Sequence, residues 1–167
     1  SFVDPGQAFA LQLTNTTGLT SFSITFNAQL LDPQGRTITY RVEYGLGTTP
    51  TTWTLVGATF TDLGINSGAW GSTSITRSFG TALDNQSGNV WIRIVSLAAS
   101  SGSGNRCTFG IDDVNLSWSA AAPKYWDVSS GAGNGVGGSG TWGTTFSTTA
   151  TGDASLTTAA TTDATNF

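Results

Sequence analysis

The sequence predicts an all-β protein: an antiparallel, jelly-roll-like β-sandwich with an extended C-terminal tail that contains one or two extra strands. Three observations predict it. Apolar and polar residues alternate through most of the first 118 residues, which is the period of a half-buried strand. The alternating runs are separated by turn chemistry, as in Asn15-Thr-Thr-Gly18, Asp32-Pro-Gln-Gly35 and Asn66-Ser-Gly68. No window carries a helical period to compete with these runs.

Taken in order, Gln7–Leu13 places Phe9, Leu11 and Leu13 on one face. Phe22–Leu30 does the same with Phe22, Ile24, Phe26, Ala28 and Leu30. Thr37–Tyr44 sets Ile38, Tyr40, Val42 and Tyr44 against Thr39, Arg41 and Glu43, which assigns both tyrosines to the core. Thr52–Ala58 carries Trp53 and Leu55, and Thr73–Phe79 carries Ile75 and Phe79. Asn89–Leu97 divides Val90, Ile92 and Ile94 from Trp91, Arg93 and Val95. Cys107–Trp118 carries Val114, Leu116 and Trp118. Short strands spaced by such turns are the pattern of a sandwich domain, here 1–118.

Composition changes in the second region, 119–167. Ser119-Ala-Ala-Ala-Pro123 reads as a linker, and Lys124–Val128 and Thr141–Phe146 as two short strands around a Gly-rich spacer. The tail has too few large apolar residues to build its own core. Trp126, Trp142 and Phe146 are therefore expected to pack onto something else, either the sandwich, an identical subunit or the adjacent domain of a longer chain.

Only 10% of the residues are charged, against about 25% in an average domain, so Thr, Ser, Asn and Gly carry the surface. That balance is expected of an exported, extracellular or cell-surface β-protein. The net charge is −4, and the five Arg are scattered along the chain, which argues against nucleic acid. No apolar run is long enough to span a membrane. The chain opens at Ser1 and has no Met, which reads as a processed protein or an excised fragment. Cys107 is the only cysteine, and its expected role is a small buried hydrophobe.

The absence of His removes Ser-His-Asp and Cys-His catalysis and His-based zinc sites. The acids are nine Asp and one Glu, most of the Asp in turns, so a facing carboxylate pair is not expected and the chain reads as a non-enzyme. The most informative segment is Gly110-Ile-Asp-Asp-Val-Asn-Leu116, which sets two carboxylates in an apolar strand. In a regular strand Asp112 and Asp113 face opposite sides, so one of them needs a fixed partner: a loop amide, an Arg, or a hard cation.

That segment resembles the last-strand motif of jelly-roll carbohydrate-binding modules and related secreted bacterial domains. The resemblance implies a structural Ca²⁺ held by Asp112 and Asp113, with Asp4 as the N-terminal partner. More widely, residues 8–118 resemble a domain of large bacterial exported proteins that accompanies nucleases, surface anchors or repeat arrays. This chain has Asn27-Ala-Gln-Leu-Leu31 where that family usually carries a Gly-Glu-Gln-Trp-like stretch. Tyr125-Trp-Asp-Val128 and Gly138-Ser-Gly-Thr-Trp142 resemble the opening of autotransporter-type β-solenoid passenger repeats.

Two functions follow as expectations. One is a structural or adhesive surface module that assembles into an extracellular filament when its tail adds a strand to an open sheet edge. The other is a carbohydrate-binding module of a larger exported protein, stacking polysaccharide rings on exposed indoles. Trp70, in the turn-rich Gly68-Ala-Trp-Gly71, leads the candidates, followed by Trp53 and Trp91; for each, packing between strands is the alternative.

Overall fold

A computed structural model describes residues 6–62 and 71–122 and the backbone of three short stretches, 125–126, 145–147 and 157–158. The regular structure of the described residues is β: β1 (Ala8–Leu13), β2 (Leu19–Asp32), β3 (Arg36–Leu46), β4 (Thr54–Leu55), β5 (Phe60–Thr61), β6 (Gly71–Ser78), β7 (Val90–Gly102) and β8 (Thr108–Ala120), then β9 (Tyr125–Trp126), β10 (Thr145–Ser147) and β11 (Thr157–Thr158). Among the described residues no helix is long and apolar enough to cross a membrane.

Two antiparallel sheets make the sandwich. The first has the order β1-β7-β3-β4, with β5 also on β3, and the second β6-β2-β8. The period-two pattern decides which side chains meet between them. In β2, Phe22, Ile24, Phe26, Ala28 and Leu30 are buried, while Ser23, Thr25, Asn27 and Gln29 are only half-buried. From the facing sheet come Ile38, Tyr40 and Val42 of β3 and Val90, Ile92 and Ile94 of β7. The Tyr40 ring lies 4.1 Å from Phe109 and 5.6 Å from Phe60, between the two sheets. Each fully buried large side chain contributes about 1.5–3 kcal/mol, so this layer holds the fold with no disulfide.

One end of the sandwich is tied by side chains. Buried Thr16 donates to the Leu83 carbonyl and accepts from the Gln86 amide, and Asn85 Oδ1 accepts from the Gly18 amide at 2.8 Å. These bonds join the β1–β2 connection to the β6–β7 connection. Three register shifts interrupt the β2–β8 pairing, at Thr20/Ser23, Thr25/Asn27 and Leu30/Asp32, and the first two are bulges with a residue at positive φ. Ser21 and Phe22 together oppose Trp118, and Asp113 and Val114 together oppose Phe26. The first residue of each bulge sits at positive φ, 60° for Ser21 and 50° for Asp113.

The sequence placed β2, β3, β7 and β8 correctly and somewhat short. The run Thr52–Ala58 reduces to the two residues of β4, because the Thr-rich segment before it folds over β3 instead of pairing along it.

Candidate functional site

The outer face of the larger sheet gathers the polar and aromatic residues that the alternation leaves outside the core. Directly paired residues share a face, so the register reads across the sheet. One row runs Ala10, Arg93, Glu43, Leu55; the rows beside it run Gln12, Trp91, Gly45 and Ala8, Val95, Arg41.

At its centre is Glu43, with a side chain only 1% exposed although it is on the outer face. A buried carboxylate is costly unless paired, and here two guanidinium groups pair it. Arg93 donates to Glu43 Oε2 from Nε at 2.7 Å, with Nη2 at 2.6 Å from the same oxygen, and Arg41 Nε meets Oε1. The rigid guanidinium fork suits this geometry. Trp53, from the loop before β4, roofs the pair with its ring centre 3.7 Å from Arg93 Cζ, a cation–π contact. Trp91 lies two residues before Arg93 on the same face and donates its indole N–H to the Gly47 carbonyl at 3.2 Å.

Residue 45 must be glycine for the loop to lie where it does. A Cβ there would sit 2.6 Å from Pro50 Cβ. The Thr48–Thr52 stretch can therefore cross the sheet beside Trp91, and with Tyr44, Leu46 and Thr54 it walls a shallow recess of about 310 Å³. Arg41 and Arg93 keep 36% and 24% of their side-chain surface open on this face. The arrangement can stack a ring and hydrogen-bond hydroxyl or carboxylate groups beside it.

The sequence candidates distribute as follows. Trp53 and Trp91 come together around Arg93, outside the core. Trp70, Asp4 and Trp142 lie outside the described residues. Trp126 and Phe146 oppose each other in the β9–β10 pair, where backbone alone is described. The Asp pair needs a correction. Asp112 and Asp113 do not face opposite sides: the bulge turns both outward and both are exposed. Asp113 accepts from Asn27 Nδ2 at 2.7 Å, Asp112 from Gln29 Nε2 at 3.3 Å and from the Asp113 amide at 2.8 Å. The positive φ of Asp113 breaks the alternation on which the expectation rested. These partners are N–H donors, and among the described residues no three acidic, His or Cys groups cluster.

Arg41, Glu43 and Arg93 were missed as a site. The scattered Arg residues are partly gathered by the β3–β7 register, and the signal was present: Arg-x-Glu and Trp-x-Arg occupy the outward phases of two strands. Inside the core, Asp62 accepts the Ile38 amide on both oxygens at 3.0 Å. Cys107 is buried as expected, accepts from the Gln34 amide at 3.1 Å, and has its thiol pKa pushed up by burial, which suits an inert residue.

No family model matches the chain, and no curated protein matches it. Among solved structures it is similar to one described as "CBM4 structure and function", at 18% identity and a TM-score of 0.43, over 70% of this chain and 67% of that chain. So loose an overlap assigns no ligand, and the functional reading rests on the geometry above.

Proposed function

We propose that this chain is a non-catalytic polysaccharide-binding module of an exported protein, and that the outer face of its larger sheet is the ligand surface. One observation carries the reading: Trp53 and Trp91 flank an Arg41–Glu43–Arg93 trio that is already paired and roofed. Sugar rings present C–H faces that stack on indole, and hydroxyls that need fixed donors and acceptors beside it. The trio supplies those donors with little rotamer freedom left to lose, because Glu43 holds both guanidinium groups. Two Arg against one Glu leave a local charge of plus one on a chain whose net charge is −4, so polysaccharides bearing uronates rank above neutral ones.

The test is a panel of neutral and uronate-bearing polysaccharides in affinity gels or pull-downs, with Trp53→Ala and Trp91→Ala as variants. Trp118→Ala, which lies off the site, is the control, and Trp70→Ala tests the leading sequence candidate. Loss of about tenfold in affinity in each site variant, with Trp118→Ala unchanged, is the expected result. Binding by both site variants at the parent level, or no binding across the panel, removes the proposal.

A further inference from the structure

The larger sheet ends at β1, and its edge there is open and apolar. Phe9 and Leu11, in the inward phase of β1, are 48 and 39% exposed, and Val114 on β8 is 49% exposed. With Ile24, Ile92, Ile94 and Ile111 beneath, they line a cleft of about 280 Å³ between the two sheets. Among the described residues β1 pairs only with β7 and β8 only with β2, so each wall of the cleft is a free strand edge. Unpaired edges beside exposed apolar side chains invite another strand.

The two edges are not equally open to it. β8 carries the Asp113 bulge and two exposed carboxylates, both of which discourage pairing along an edge. β1 is regular from Ala8 to Leu13 and holds no charge, no Pro and no Gly. Its free backbone groups also have a fixed phase. The Ser96 amide donates to the Gln7 carbonyl at 3.0 Å, so the backbone of Gln7 turns toward β7. By alternation the amides and carbonyls of Ala8, Ala10 and Gln12 turn to the free edge.

We propose that a second copy of this chain pairs along that edge, β1 against β1, antiparallel about a two-fold axis. Residues that bond across the axis must come from the edge-facing set on both copies. Placing Ala10 on the axis meets that condition: Ala8 falls opposite the second copy's Gln12, and Phe9 opposite the second copy's Leu11. The two half-exposed apolar residues of β1 thus meet each other and close the mouth of both clefts, while Leu13, already packed on the core, is left out of the pairing. Charge points to the same partner, because two chains of net charge −4 meet along strands that carry none. Five paired residues make an edge about 17 Å long, and the sheets stand about 10 Å apart. The contact therefore covers several hundred Å² on each copy, the lower end of the range for specific dimers. The axis is normal to the sheet, so the pairing makes one continuous sheet with both Arg41–Glu43–Arg93 trios on the same side. Glu43 lies on β3, two strands in from β1, which sets the trios five strand spacings, or about 24 Å, apart. That spacing would offer one polysaccharide chain two sites, a consequence that rests on the functional reading above; the dimer itself does not.

Sedimentation velocity of the full chain from about 1 μM to 1 mM tests this. The average mass should rise with concentration from one chain to two and stop there, because a two-fold contact closes on itself. Ala10→Pro removes the amide on the axis, which the β1–β7 ladder does not use, so the variant should keep the parent's far-UV circular dichroism and stay monomeric throughout. Leu11→Lys, which sets a charge against the second copy's Phe9, should do the same. A parent that stays monomeric, a mass that grows past two chains, or a dimer that survives in both folded variants overturns the proposal. Hydrogen–deuterium exchange on the parent gives a readout that needs no variant. The amides of Ala8, Ala10 and Gln12 should exchange about tenfold more slowly at the top of the concentration range than at the bottom. Exchange that is equally fast at both ends, or slow at both because another part of the same chain covers the edge, also overturns it.

Discussion

Replacing Glu43 by Gln separates the geometry of the trio from its charge. The amide keeps the size and shape of the carboxylate but no longer neutralises Arg41 and Arg93, between which the buried Glu43 side chain sits. Breaking a fully buried ion pair by removing one partner costs about 3–5 kcal/mol. Here the two Arg side chains remain 36% and 24% open, so water recovers part of that cost, and the expected loss is about 2–3 kcal/mol. Urea denaturation followed by far-UV circular dichroism reads this directly, with the slope unchanged because the exposed surface is the same.

The same variant should weaken polysaccharide binding by more than Trp118→Ala does, since Trp53 is held over a guanidinium that Glu43 orients. Pairing Glu43→Leu with Arg41→Leu and Arg93→Leu completes the experiment. An apolar trio should restore most of the stability, as buried ion pairs are often replaceable, while binding stays lost. A Glu43→Gln protein within about 0.5 kcal/mol of the parent would refute the idea that Glu43 fixes this face, because surface-type pairs fall in that range.

Stability should fall on the alkaline side. Burial raises the pKa of Cys107 above its ordinary 9.0 and that of Tyr40 above its ordinary 10.0, with Asp62 nearby adding to both. A raised folded-state pKa means stability that is complete below the unfolded value and is lost as pH climbs beyond it, so Tm should decline from pH about 9 upward, and less steeply in Tyr40→Phe. At neutral pH Tyr40→Phe should be neutral or stabilising by about 1 kcal/mol, since among the described residues the buried hydroxyl has no hydrogen-bond partner. Gly45→Ala should destabilise by about 1–3 kcal/mol and displace the loop at Pro50, with Trp91 fluorescence and thermal melts as readouts. Chelation by EDTA, followed by added Ca²⁺, should leave Tm unchanged if the Asp112–Asp113 bulge is held by Asn27 and Gln29 as the geometry shows; a calcium-dependent rise of several degrees would return the bulge to the metal reading.

The sandwich was legible in the sequence because its strands are long, regular and one-sided. Phe22 to Leu30 is a run in which every second residue is buried, and such a run admits one phase. What broke that legibility was backbone irregularity. Asp113 enters the left-handed region, the bulge shifts the phase, and two adjacent acids end on one side of the sheet. Nothing in the pattern of residues 110–116 marks that turn. The site was half legible for a related reason. Alternation put Arg41 and Glu43 on the outside of β3 and Trp91 and Arg93 on the outside of β7, but their meeting depends on a register set by non-local pairing. Trp53 reaches Arg93 from the Thr-rich loop that passes close over Gly45, where a Cβ would meet Pro50.

The two surfaces of interest differ in a way that bears on how they work. The trio face keeps its charged groups internally paired, so it presents a fixed polar surface to water and to a soluble ligand alike. The β1/β8 cleft keeps apolar side chains and free backbone edges open together, which water cannot satisfy equally well. A rigid polar face suits reversible recognition of a hydrated polymer, where affinity comes from many modest contacts. An apolar cleft with free edges suits a strand that stays once seated, because removing it exposes both ladder groups and side chains at once. The two surfaces meet at Arg93, which belongs to the trio and also lines the cleft between β1 and β8.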